Sequence, residues 1–238
     1  FGKAAEDPFY AGGGSGTGFA ALINQTIDLA NASRGIKPEE IEEAKSAGFE
    51  PIEYIVANDA IAVIVHPDNP VSELTLEQVS KIYKGEYTNW QQLGGEDRPI
   101  VRLSRETNSG THVYFLEEVV RLGSSEDKSI FSMDTLLLPS SEGIIAEVSS
   151  NPNAIGYDGL GYVTEHVKMI ALAKENSGDF ILPSATSVMN GQYPISRHLF
   201  MYTRGEPQGA LAEYLAWILA PQAQQIVEAL GFVPVNGQ

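Results

Sequence analysis

The chain has 238 residues, 43% hydrophobic and 19% charged, with a formal net charge of −16; that size suits one large domain or two modest lobes around a real core. The acid excess argues against nucleic acid as a partner, because binding a phosphate backbone rests on clustered Lys and Arg. Without cysteine there is neither a disulfide framework nor a thiolate metal site, and no apolar run approaches the roughly 18 residues of a membrane span.

The first informative stretch in chain order is GGGSGTG, residues 12–18, which runs straight into FAALI. So much glycine marks either a flexible tract or a place where something approaches bare backbone. FAALINQTIDLA reads as a short helix followed by an apolar approach to NASRGI. KPEEIEEAKSAGF is a helix with Pro38 in its first turn, acids near its start and Gly48 at its end. EYIVANDAIAVIVHP is rich in β-branched residues and reads as a buried strand that Pro67 stops. Asp59 inside that strand needs a partner, because an unpaired buried carboxylate is costly.

TLEQVSKIYKG carries Thr75 and Gln78 at capping-box spacing and closes on Gly85, so both ends of a helix are written in. RPIVRLSR is a strand entering the loop ETNSG, and THVYFLEEVVRL places Val113, Leu116, Val119 and Val120 at helical spacing. SSEGIIAEVSS reads as a helix and AIGYDGLGYV as a strand with glycine turns. LAEYLAWILA and QAQQIVEAL are two helices parted at Pro221. Strands and helices alternate, which gives an α/β architecture.

One tripeptide occurs twice in the same setting. Ser15-Gly16-Thr17 opens one helix and Ser109-Gly110-Thr111 opens another. The first turn of a helix presents unpaired N–H groups and a partial positive charge, so a small anion can be received there without lysine. Glycine admits the ligand and hydroxyls add donors. Arg34 and Arg105 stand near the two loops, and a guanidinium fork can bond two oxygens of one tetrahedral anion. Two cradles and two forks suggest one enclosed oxyanion, against the alternative of ordinary helix caps and surface ion pairs.

Catalytic patterns fail on inspection. A nucleophile elbow needs glycine where Thr17 stands, and Phe19 replaces the P-loop lysine. The histidines show no paired-ligand spacing. No enzyme activity, cofactor or metal is expected.

The runs GGGSGTG, NASRGI, NDAIAVIVHP, LEQVSKIYKGEYTNW, SRETNSGTHVYF, AIGYDGLGYV, YPISRHLFMYT and GFVPV follow one another from residue 12 to 235. Together they resemble the phosphate-binding proteins of bacterial phosphate ABC transporters, the PstS family. The resemblance implies a two-lobed α/β Venus flytrap of the periplasmic-binding-protein type II class. Residues 1–65 with 196–238 would form one lobe and residues 66–195 the other, with phosphate held between them.

By motif, Ser15, Gly16 and Thr17 match one binding wall, and Arg105, Ser109, Gly110 and Thr111 match the opposite one. Arg34 stands where one branch of the family has aspartate and resembles the other branch. Asp59 is therefore expected to accept the proton of phosphate, balanced by Arg34, and to repel ionised sulfate. Glu106 is expected to pair with Arg105 or face solvent. The family's usual first strand and its hydroxyl-bearing loop have no counterpart before GGGSGTG, so residues 1–11 read as a truncation or a shortened substitute.

The resemblance also implies a monomer that delivers phosphate to an ABC permease from the periplasm or the outer face of the membrane, soluble or lipid-anchored. Receptors for another oxyanion, such as sulfate, molybdate or tungstate, and a non-binding extracellular relative stay open as alternatives.

Overall fold

The structure is a computed structural model that describes residues 14–175 and 178–235. Gly12, Gly13 and residues 1–11, on which the expectation of a missing or shortened first strand rests, lie outside the described residues.

The glycine run leads into α1 (Ser15–Ile23), then β1 (Leu29–Ala32) and α2 (Pro38–Ser46). The β-branched run becomes β2 (Pro51–Val65), the longest strand. After β3 (Glu73–Thr75) comes α3 (Leu76–Lys84), whose caps are those written in its sequence. Gln78 N–H donates to Thr75 Oγ1 at 3.1 Å, Thr75 N–H donates to Gln78 Oε1 at 2.8 Å, and Gly85 ends the helix at φ 82°.

β4 (Val101–Arg105) feeds α4 (Gly110–Phe115), which continues as a π-helical turn over Leu116–Val120. The chain goes on through β5 (Leu136–Leu138), α5 (Ser141–Ser150), β6 (Ala154–Gly159) and a 3-10 turn at Leu160–Tyr162. Then follow β7 (Lys168–Met169), β8 (Ala171–Ala173), α6 (Ala185–Met189) and β9 (Ser196–Arg204). Two helices, α7 (Ala210–Ile218) and α8 (Pro221–Ala229), close the chain, with Pro221 in the first turn of the second.

The strand order β1-β9-β2-β6-β4-β5 turns on β2. Its first part runs antiparallel to β9, from Pro51 opposite Arg204 to Ala60 opposite Ser196. From Ile61 opposite Gly159 onwards it is antiparallel to β6 instead. β2 thus passes from one half-sheet into the other, and Ile61 N–H donates to the carbonyl of Ile195 at the changeover, 3.0 Å away. Two lobes share this strand.

The run IAVIV is apolar at every position because both faces of the sheet are covered there. Ile61, Val63 and Val65 pack into the large core with Val79, Ile82, Tyr83 and Phe115, while Ala62 and Ile64 pack with Leu103, Ile144 and Val148. A smaller core under α1 joins Phe19, Leu22, Ala30 and Tyr202. Each such large side chain contributes roughly 1.5–3 kcal/mol by leaving water, and together these cores hold the loops at the strand ends in fixed positions.

Candidate anion-binding cleft

A cleft of about 680 Å³ opens where the two half-sheets meet, and the starts of α1 and α4 form facing walls. On one wall Ser15 is the first residue of α1, with Gly14 at the cap position. Its Oγ accepts from the N–H of Ser33 at 3.0 Å and lies 3.4 Å from the Ser33 hydroxyl. On the other wall Ser109 is itself the cap of α4, its Oγ accepting from Thr111 N–H at 3.2 Å.

The walls touch through glycine. A Cβ on Gly14 would stand 1.5 Å from the carbonyl oxygen of Asn108, and one on Gly110 would stand 2.2 Å from Ser33 Oγ and 2.5 Å from Ser15 Oγ. Any side chain at either position would hold the walls apart. The glycine run is therefore explained at Gly14 by close approach of the other lobe.

Two arginines line the cleft. Arg105, at the end of β4, donates from Nη1 to Ser141 Oγ at 2.7 Å and from Nη2 to the Pro139 carbonyl at 3.1 Å. Behind it, Ser104 Oγ is bonded to Tyr157 Oη at 2.6 Å and to His112 Nδ1 at 3.0 Å. The His112 Nδ1 also lies 2.9 Å from the Arg105 carbonyl, which can only accept, so that nitrogen carries the proton. Burial lowers the His112 pKa and keeps the ring neutral.

Arg197 comes from β9. It grips Asp59 Oδ2 through Nη2 at 3.0 Å and Nε at 3.3 Å, and Nη2 also donates to Thr111 Oγ1 at 2.8 Å. Asp59 and Arg197 are direct cross-strand neighbours, so strand register sets the pair.

Two carboxylates face these cations. Asp59 is 2% exposed and Asp158 1% exposed. Burial pushes the Asp59 pKa up, Arg197 pulls it back, and the charge of Asp158 adds to the rise. Burial likewise raises Asp158, against the N–H of Gly159, which donates to Oδ1 at 2.8 Å, and against Arg105. Arg105 Nη1 stands 3.6 Å from Asp158 Oδ2.

Six buried side-chain polar atoms among the described residues lack a hydrogen-bond partner, and four belong to these cleft groups: Asp59 Oδ1, Asp158 Oδ2, Arg105 Nε and Arg197 Nη1. Native structures leave few such atoms, since each costs free energy. Their concentration here gathers unsatisfied donors and acceptors, all of them buried, at one place.

Of the residues singled out from sequence, Ser15, Asp59, Arg105, Ser109, Gly110 and Thr111 line the cleft. Gly16, Thr17 and Arg34 do not. Thr17 is exposed and spends its N–H on the Gly14 carbonyl. Arg34 makes a two-pronged bond to Glu40, at 2.9 and 2.7 Å, and lies over the Phe19 ring at 4.8 Å.

The expected balance of Asp59 by Arg34 is thus corrected. Arg197 fills that place, because Glu40, reaching back to cap α2, holds Arg34 locally. Glu106 lines the cleft and is exposed, so it faces solvent, the second of its two expected placements, while Arg105 takes Asp158 as its ion-pair partner.

Sequence reasoning passed over Ser33, Ser141, Asp158 and Arg197. Asp158 carried a usable signal, since it sits in a fully buried strand as Asp59 does in β2. Arg197 carried no local signal, because β9 gains its strand identity by pairing with β2 far earlier in the chain.

A model of the PBP superfamily domain matches residues 3–222. The phosphate-binding protein PstS of Pseudomonas aeruginosa is 34% identical over 93% of this chain and 72% of its own length. The chain belongs to the PstS family. PstS of Bacillus subtilis is 31% identical over 94% of this chain and 70% of its own.

Among solved structures, one described as a phosphate ABC transporter substrate-binding protein with bound phosphate, from Clostridium perfringens, superposes with a TM-score of 0.81. It shares 32% identity and covers 94% of this chain and 85% of its own. An ABC-type phosphate transport receptor from Vibrio cholerae gives a TM-score of 0.74 at 28% identity, over 93% of this chain and 86% of its own. The PstS family member described here therefore has the two-lobed fold of these receptors.

Proposed function

We propose that this chain is the receptor of a phosphate uptake system, closing on inorganic phosphate between its lobes and handing it to an ABC permease outside the cytoplasmic membrane. It acts as a monomer and without catalysis. The observation that carries the reading is the set of four unpartnered atoms in the cleft, two on cations and two on carboxylates. A bare oxyanion satisfies only donors. A protonated one satisfies acceptors as well, which is the property that separates phosphate from sulfate at neutral pH.

Arg105 and Arg197 then hold phosphate oxygens by charge-assisted bonds, with Ser15, Ser109, Gly110 and Thr111 supplying hydroxyl and backbone donors. Asp59 Oδ1 accepts the phosphate proton. The hinge falls at Ala60–Ile61 and Ile195–Ser196, a reading supported by the change of partner in β2 and the bond between Ile61 and Ile195. Residues 61–195 move as one lobe, and residues 14–60 with 196–235 as the other.

Titration calorimetry with phosphate, sulfate and molybdate tests the proposal directly. Phosphate is expected to bind and sulfate to give no heat, and turnover of a phosphate ester is expected to be absent. Equal binding of sulfate or molybdate would transfer the assignment to another oxyanion. Asp59→Asn is expected to erode the preference for phosphate over sulfate.

A further inference from the structure

Arg197 lines the anion cleft and also a second cavity, of about 650 Å³. That cavity is walled by the start of α2, by Tyr114, Glu117 and Glu118 from α4 and its π-helical continuation, and by the first residues of β9. Glu117 and Glu118 are exposed. Arg34 and Lys37 line the same space, but Arg34 is committed to Glu40. A long cationic side chain thus has carboxylates on two sides: Asp59, which it holds, and a glutamate pair that it does not.

We propose that Tyr114 is a positioning residue for the anion site, keeping the Arg197 guanidinium turned to Asp59 and the cleft and away from Glu117 and Glu118. This rests on the phosphate-receptor reading above, in which Arg197 holds the ligand.

The contacts come in three parts. Arg197 Cζ lies over the Tyr114 ring, 5.7 Å from its centroid. A guanidinium is drawn to the face of an aromatic ring, most strongly where water is excluded, and the Arg197 side chain is only 7% exposed. The Tyr114 hydroxyl donates to the carbonyl of Ser196, which ties the ring to the backbone one residue before Arg197. Burial pushes the pKa of that hydroxyl up to about 12, so it keeps the proton it donates. Thr111, three residues earlier on the same face of α4, accepts from Arg197 Nη2 at 2.8 Å.

The ring, the threonine and Asp59 therefore enclose the guanidinium from three sides. A flexible apolar residue of similar length at position 114 would fill the space but offer no π face and no hydroxyl. Arg197 would then be free to turn toward the glutamate pair. Tyr114 belongs to the lobe of residues 61–195 and Arg197 to the other, so the contact also spans the hinge.

The test is calorimetric titration of inorganic phosphate into Tyr114→Met, alone and combined with Glu117→Gln and Glu118→Gln, beside wild type and the double glutamine variant. Tyr114→Met is expected to weaken phosphate binding about tenfold. Removing the two competing acids is expected to restore most of that loss, while the same two changes in the wild-type background move affinity by less than about threefold. A tyrosine that merely supported packing would give a loss that the glutamines do not repair.

Wild-type affinity in folded Tyr114→Met protein overturns the proposal, as does a loss that persists unchanged in the triple variant. Should Tyr114→Met fail to fold, Tyr114→Phe decides. It keeps the ring and is expected to bind within about threefold of wild type, and a tenfold loss there would overturn the ring's role. Wild-type protein that takes up no phosphate is a different result: it overturns the receptor reading itself, and this inference with it.

Discussion

The two helix starts carry the same three residues and do different work. In the α4 copy, Ser109 caps the helix, Gly110 meets the opposite wall and Thr111 accepts from Arg197. In the α1 copy the register is one residue later: Gly14 stands at the cap position, Ser15 is already helical, and Thr17 points to solvent. The glycine that meets the other lobe is therefore Gly14 and not Gly16. An identical tripeptide does not make an equivalent site. What decides is where the helix begins relative to it, and which partner each nearby arginine finds first.

The sharpest way to break the comparison is to remove each arginine in turn, beginning with Arg197. Arg197→Met leaves Asp59 charged and buried with no ion-pair partner, which costs about 3–5 kcal/mol. Chemical denaturation should show that loss, and pairing the change with Asp59→Leu should restore much of it. Recovery of stability without recovery of phosphate binding is the expected outcome of the double variant. A single variant as stable as wild type would mean that the pair is not what holds Asp59.

Next in size is a contrast between glycines. Gly110→Ala forces a methyl group against two hydroxyls of the facing wall, and overpacking of that kind costs about 1–3 kcal/mol. The cost falls on closure, so phosphate affinity should drop roughly tenfold to a hundredfold while the melting temperature of the unliganded protein moves little. At Gly16 the nearest outside atom to an added Cβ is Arg34 Nη2 at 3.7 Å, an ordinary contact. Gly16→Ala should bind as wild type does. Equal effects at the two positions would erase the distinction between the copies.

Ser109→Ala comes third, removing a helix cap worth about 1 kcal/mol. Thermal denaturation reads it.

How much of this was legible in the sequence follows from range. Elements written by local chemistry were readable: the capping box of α3, Pro38 and Pro221 at helix starts, and the β-branched run of β2. β9 was not, because SRHLFMYTR mixes charge and apolar groups and gains its strand identity from pairing with residues more than a hundred positions earlier. The cleft divides the same way. Ser109, Gly110 and Thr111 were readable as a helix start, whereas Arg197 reaches Asp59 only through strand register. Arg34 stands near the glycine loop in sequence but outside the cleft lining, because Glu40 six residues on offers it a closer partner.

The smallest effect belongs to Arg34 itself. Its ion pair with Glu40 is two-pronged and only partly exposed, so Arg34→Met should cost about 1 kcal/mol or less and leave phosphate affinity unchanged. The pair has a pH signature. Burial would raise the Glu40 pKa, but the bonds from Arg34 and from the Lys37 backbone outweigh it and hold the carboxyl below its ordinary value. The unfolded chain therefore binds this proton first as pH falls, so the stabilisation is present above the unfolded carboxylate pKa of about 4.3 and is lost as pH drops toward the folded value. Removing Arg34 should flatten that acid limb in a series of melting temperatures against pH. A weakened phosphate titration in the same variant would return Arg34 to the ligand's side, and with it the equivalence of the two Ser-Gly-Thr starts.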